Sequence, residues 1–277
     1  MDFIDLLSYE FFRNALLGSL FASVACGIIG TYIVIRRLVF VSGGITHASM
    51  GGIGIGLYAG INPILAALLF SVFSAFGIEW LSSKQGIRED SAIATLWSLG
   101  MAIGIIFIYL TPGFAPNISD YLFGNILTVT KMDILLLAIL SFVLIVVFVL
   151  FRREILYTAF DPDFARTRNL PVTFIKYVMM FFIAVTIVLS IRLVGIVLLL
   201  SILTVPQMTA NLFTSNFNKM IGWSVLIGFA GCIAGLLLSV ELDVPSGVFI
   251  IFTQILIFLV ARIIVRLRQK GRQMKSL

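Results

Sequence analysis

The sequence predicts an all-α, polytopic transmembrane helical bundle of about nine spans, or eight if one short segment stays at the surface. Three observations lead there. Apolar runs of membrane-spanning length recur along the whole chain. Of 277 residues, 60% are hydrophobic and 12% charged, whereas a soluble domain carries about a quarter charged. Basic residues are also sorted by side. All but Arg13, Lys131 and Arg192 fall in segments that the order of spans places together, and the basic-rich side is the cytoplasmic one. The chain, 1–277, therefore reads as a single transmembrane domain with its N-terminus outside and its C-terminus in the cytoplasm. The basic tail Arg266–Lys275 reads as a membrane-surface anchor, in preference to a nucleic-acid site.

Met1–Glu10 is an amphipathic lead-in. It is acidic (Asp2, Asp5, Glu10), and the apolar run behind it is too long for a cleavable signal peptide. Span one runs from about Phe11 to Ile35 and stops at Arg36-Arg37. Span two is Val41–Asn62. It turns at Asn62-Pro63, because the residue before proline avoids the α region. Span three, about Ile64–Leu81, carries Glu79 near its inner end, solvated or paired with Lys84. Ser82–Asp90 is a charged inner loop, and Asp90 and Ser91 are candidate N-caps for span four, Ala92–Leu110. Ser91, Thr95 and Ser98 share one face of that span, and a polar stripe in a membrane helix faces protein or water. Thr111–Asp120 is an outer loop. Tyr121–Thr130 is apolar but too short to span, so it is a short helix or re-entrant piece. Asp133 opens span five, which ends near Phe151.

Arg152–Thr173 is the longest polar interruption, and its charge places it in the cytoplasm. Asp161-Pro162 is a helix start, with Asp as cap and Pro at the first helical position, and Pro171 follows about two turns later. The resulting short helix is acidic at its start (Asp161, Asp163) and basic at its end (Arg166, Arg168). It is either a connector on the membrane surface or a docking element for a soluble partner. Span six covers about Phe174–Ile191, with a tight outer turn at Arg192. Span seven, about Val194–Phe213, places Ser201, Thr204, Met208 and Asn211 on one face. Its Pro206 frees the carbonyl of Ile202, which lines a cavity or sits in a packed kink. Lys219 marks an inner turn before span eight, which ends near Val240. Glu241–Pro245 is an outer turn with two carboxylates, and span nine is about Val248–Val265.

The chain is organised around span two. Val41–Asn62 holds the only histidine, His47, in a glycine-rich stretch without charged residues. Gly44, Ala48, Gly52, Gly56 and Gly60 recur every four residues, the spacing of a small-residue ridge for helix packing in lipid. Gly43, Gly44, Met50 and Gly51 surround the imidazole at helical spacing. Ionisable groups within spans are costly and mark pathways, although a packing histidine bonded to a neighbouring helix is the plainer alternative. Cys26 and Cys232 lie in apolar spans without a CxxC spacing, so they read as buried packing residues.

No Gly-Lys pair occurs, so a GxxxxGK[ST] phosphate loop is missing. Nor is there a chain of buried acids of the kind proton-coupled carriers use. Energy for transport would then come from a cytoplasmic partner. At this point six ordered blocks resemble one family: SGGITHASMGGIGIG at 42–56, DSAIA at 90–94, DYLFGNIL at 120–127, FDPDFARTRNLPV at 160–172, VGIVLLLSILTVPQMTA at 194–210 and LDVPSGVFI at 242–250. The family is the membrane permease of bacterial metal-ion ABC importers, of the zinc, manganese and iron type.

The resemblance implies a homodimeric permease in the bacterial inner membrane, two cytoplasmic ATP-binding subunits and an extracytoplasmic metal-binding protein. It makes the chain a transport subunit and not an enzyme, with no permanent cofactor and a divalent metal ion as cargo. The coupling segment would be Phe160, Asp161, Pro162, Ala165, Arg166, Arg168 and Asn169. Asn169 stands where the family has glycine, and Asn tolerates the left-handed conformation. The second-span motif of the family is Asp-Ala-Ile-Ser-His-Ala, and this chain has Gly43 at the Asp position. The expected pathway comprises Gly43, Thr46, His47 and Met50 with Ser98, Thr204 and Met208. Imidazole without the carboxylate favours zinc over manganese and iron. The alternatives are a stand-alone secondary carrier and an ABC permease for a larger metal chelate such as cobalamin or haem.

Overall fold

The computed structural model describes residues 8–112, 124, 126, 129–242 and 244–275. Among them every element is helical: α1 (Glu10–Ile35), α2 (Val39–Ala59), α3 (Pro63–Lys84), α4 (Glu89–Leu110), α5 (Lys131–Leu150), α6 (Arg152–Phe160), α7 (Pro162–Thr167), α8 (Val172–Val194), α9 (Ile196–Asn211), α10 (Phe217–Leu242) and α11 (Ser246–Lys275). Seven of these helices, α1, α3, α4, α5, α8, α10 and α11, are long and apolar enough to cross a membrane. The other two predicted spans are α2, whose glycines, serines and histidine dilute its hydropathy, and α9, which has only 16 residues. Nine is therefore an approximate count. The start of the lead-in, the outer loop beyond Pro112, most of Tyr121–Thr130 and Asp243 lie outside the described residues.

Local chemistry sets most boundaries. The Asn62 side chain accepts from the Ile64 and Leu65 amides and Pro63 occupies the first turn of α3. Thr130 and Asp133 form a reciprocal capping box at the start of α5, two residues before the predicted opening. Asp161 Oδ1 accepts the Phe164 amide at 2.9 Å. Helix α4, by contrast, begins at Glu89 with Arg88 at the cap position and no side-chain cap. Asp90 and Ser91 thus lie inside the helix, where the carboxylates of Glu89 and Asp90 favour the positive end of its dipole. The tight turn after α8 is at Gly195 (φ 82°) and not at Arg192. Only one residue separates α8 from α9, and a positive φ is cheapest for glycine.

Helix α1 is enclosed by α5, α8, α9 and α10, and α2 packs between α3 and α4 with α8 and α9 also against it. The small residues of α2 divide between two neighbours. A Cβ on Gly44 would stand 2.6 Å from Ile93 of α4, and one on Gly52 2.5 Å from the Ala67 Cα of α3. Gly56 faces Pro63 and Ala66 of α3. Steps of four residues overshoot the 3.6-residue turn by about 40° each, so the ridge winds from one partner to the other. Gly60 departs from its predicted packing role. It has φ 67°, nothing within 4 Å of a Cβ, and serves as the left-handed cap of α2.

Pro206 sits inside α9. The amide of Gln207, which is fully buried, donates to the Ile202 carbonyl at 3.2 Å and to the Cys26 carbonyl of α1 at 2.8 Å. The carbonyl freed by proline is therefore satisfied within the bundle, which resolves the two sequence alternatives in favour of a packed kink. Gly30 of α1 makes room for this amide, since a Cβ there would lie 2.5 Å from Gln207 Nε2. Both cysteines are buried and free.

Candidate translocation site and docking face

Between Val41 and Gly54 every residue of α2 is buried except His47, which is half-buried. Its imidazole lies flat on the indole of Trp97 from α4, with ring centroids 4.3 Å apart and planes 5° apart. Nδ1 is buried without a hydrogen-bond partner, which leaves Nε2 as the nitrogen able to face the open side. One turn earlier, Gly43 leaves a space. A Cβ there would meet Leu200 of α9 at 3.5 Å and Trp97 at 4.0 Å, both ordinary contact distances. Gly43 and His47 of α2, Trp97 of α4 and Leu200 of α9 thus surround one spot.

The faces that flank it follow the sequence pattern. On α9, Ser201, Thr204, Met208 and Asn211 are partly or fully exposed, together with the apolar Leu200 and Val205, while Ile202, Leu203, Pro206, Gln207, Thr209 and Ala210 are buried. Thr204 Oγ1 donates to the Leu200 carbonyl at 2.6 Å. On α4, Ser91, Thr95 and Ser98 are exposed and continue to Met101 and Ala102. Two other expected pathway residues are buried, like Gly43 and most of this stretch of α2. Thr46 is fully buried and its hydroxyl donates to the Ser42 carbonyl at 2.7 Å, and Met50 is buried. Trp97 was missed by the sequence reading. The available signal was a tryptophan in mid-span, away from the interfacial belt such residues prefer. Among the described residues no group of three or more His, Cys, Asp or Glu side chains could hold a metal ion. The chain has a single imidazole, that of His47.

At the basic-rich end, the polar interruption holds two helices where one was expected. The α6 helix buries Ile155, Thr158 and Ala159 and exposes Arg152, Arg153, Tyr157 and Phe160. Helix α7 buries only Ala165. Phe160 is 67% exposed and Phe164 40%. Tyr157 and Phe164 meet edge-on at 5.4 Å, and the Arg168 guanidinium lies 5.3 Å over the Phe164 ring. Arg166 pairs with Asp163 at 2.8 Å. Asn169 adopts the left-handed conformation at φ 55°. Phe160 and Phe164 thus stand exposed beside the cations of Arg166 and Arg168. Glu79, deeper in, pairs with Lys176 of α8 at 3.7 Å and not with Lys84.

The ABC 3 transport family model matches residues 8–265. The chain belongs to the ABC 3 transport family. As a member it is a membrane transport subunit and not an enzyme. The permease is 39% identical over 258 residues to an uncharacterized membrane protein of Synechocystis sp., covering 93% of this chain and 92% of that one. It is 33% identical to the manganese transport system membrane protein MntC of Halalkalibacterium halodurans, covering 94% and 89%. Its fold superposes on a chain of PsaBC from Streptococcus pneumoniae, solved in complex with Fab, with a TM-score of 0.84, 27% identity and 94% of each chain covered.

Proposed function

We propose that this permease forms the pathway of an ATP-driven importer of a divalent metal ion. It works as a homodimer in the bacterial inner membrane, with its N-terminus outside and its C-terminus in the cytoplasm. Two ATP-binding subunits seat on the α6–α7 segment, and an extracytoplasmic metal-binding protein delivers the ion. The observation that carries this reading is the position of His47, the one residue between Val41 and Gly54 of α2 that is not buried. It stands beside polar faces of α4 and α9 that a single copy leaves uncovered. A second copy facing it would enclose those faces and bring two imidazoles to one passage.

Zinc is the cargo that imidazole chemistry favours, because Gly43 supplies no carboxylate to hold a harder ion. Manganese is the second reading, favoured by the likeness to the manganese transport system protein, with iron next. The test is a pull-down of the tagged permease from its native membrane under mild detergent, with subunits identified and weighed. Uptake of zinc against manganese by the reconstituted complex follows. An ATPase at one copy per permease chain supports the assembly. A permease recovered alone overturns it in favour of a stand-alone carrier. Manganese uptake unaffected by excess zinc would overturn the choice of zinc.

A further inference from the structure

We propose that Arg36 is a positioning residue for coupling, tying the docking segment to the start of the helix that carries His47. The proposal rests on the reading that an ATPase seats on α6–α7. Arg36 caps the C-terminal end of α1. Arg37 follows with φ 59°, and α2 begins at Val39. A side chain at this corner thus stands at the hinge between the central helix and the pathway helix. Its Nη1 donates to the carbonyl of Ala159 at 3.2 Å. Ala159 is one residue before exposed Phe160 and two before Asp161, the cap of α7.

Arg36 also lines a small, partly open cavity of about 100 Å³ together with Tyr32, Glu79, Glu89, Lys176 and Met180. Glu79 and Lys176 face each other at 3.7 Å with side chains only 13% and 24% exposed. Helices α1, α3, α4 and α8 therefore meet α6 at one charged cluster. Charges as largely buried as Glu79 and Lys176 are costly to leave unpaired, so the cluster favours discrete arrangements over gradual sliding. Arg36 Nε has no hydrogen-bond partner. The guanidinium accordingly holds a spare donor beside Glu79, whose ion pair with Lys176 is long. Two arrangements follow: Arg36 on the Ala159 carbonyl, or Arg36 turned onto Glu79 with α6 released. A displacement of α6–α7 selects between them and moves the start of α2.

The test uses the whole complex of permease and ATPase in proteoliposomes. Replacing Trp80 and Trp223 by Phe leaves Trp97 as the sole tryptophan of the permease, out of three, and with an ATPase whose own tryptophans are replaced its emission reports the His47 site. In Arg36→Ala the ATPase co-purifies at the wild-type ratio, the nucleotide-dependent change in Trp97 emission disappears, and metal taken up per ATP hydrolysed falls about tenfold, within the range of intramolecular coupling. Should the alanine variant not assemble, Arg36→Lys keeps a charge in the cavity but loses the planar fork, and lowers the same ratio at least about fivefold. A wild-type emission change and uptake ratio in whichever variant assembles overturns the proposal. Failure of the wild-type permease to retain any ATPase refutes the docking reading first, and this proposal falls with it.

Discussion

His47 and Trp97 form a parallel stack, centroid to centroid at 4.3 Å, with the imidazole of α2 spread on the indole of α4. The stack fixes the ring plane and leaves one nitrogen to the open side, while Nδ1 is enclosed. His47→Ala is expected to lower metal uptake at least about tenfold, corresponding to about 1.4 kcal/mol of lost ion stabilisation, without changing assembly. Trp97→Ala frees the imidazole and gives a smaller loss. Uptake by reconstituted variants checks both, and wild-type rates in His47→Ala would remove the histidine from the pathway.

Gly43 stands one turn before His47, with ordinary contact distances where a Cβ would go. Gly43→Asp is therefore expected to seat its Cβ without displacing α4 or α9, at the cost in melting temperature of a partly desolvated carboxylate. Its carboxylate sits on the same helix face as the imidazole and shifts preference toward harder ions such as manganese. Competition of zinc against manganese in uptake, measured on both proteins, checks it.

Gln207 satisfies two carbonyls at once, those of Ile202 and Cys26. Gln207→Leu strips both in a buried site, and each orphaned group costs about 1–3 kcal/mol. The expected result is a clear loss of thermal stability in detergent, whereas Met208→Leu, on the exposed face of the same helix, leaves the melting temperature nearly unchanged.

Glycines of α2 separate into two kinds. Gly54 abuts the backbone of Gly104, and a Cβ on Gly54 would lie only 2.8 Å from the Gly104 Cα. Gly54→Val must drive α2 from α4 and costs about 1–3 kcal/mol or more. Gly60 has open space but a left-handed backbone, so Gly60→Ala costs about 1 kcal/mol. Thermal unfolding of the two variants side by side gives the order, and an equal effect would contradict the packing described.

On the docking face, Phe160 projects without cover. Phe160→Asp, and charge reversal at Arg166 and Arg168, are each expected to reduce the ATPase recovered in a pull-down about tenfold, the loss of roughly 1.4 kcal/mol of association. Reversal at Arg166 also breaks its pair with Asp163, so the single Arg168 variant separates contact from local helix stability. Unchanged recovery would remove this surface as the seat of the partner.

Much of this protein was legible in its residues, because a bilayer imposes one-dimensional rules. Apolar length, basic side and proline position depend on neighbours in sequence, so the all-helical class, the Asp161 cap and the exposed face of α9 followed from spacing alone. The left-handed conformation at Asn169 followed instead from the resemblance, in which glycine holds that position. Partner choice was not. Whether the Ile202 carbonyl opens to a cavity depended on Gln207 and on Cys26, 181 positions away along the chain. The ion pair of Glu79 went to Lys176 of α8, which packs beside α3, and not to Lys84 at the end of α3 itself. The stacking of Trp97 on His47 and the reach of Arg36 to Ala159 likewise join residues from separate helices. Helical periodicity places a side chain on a face, but which helix meets that face is set by close packing of the whole bundle, where small residues on one helix admit the backbone of another.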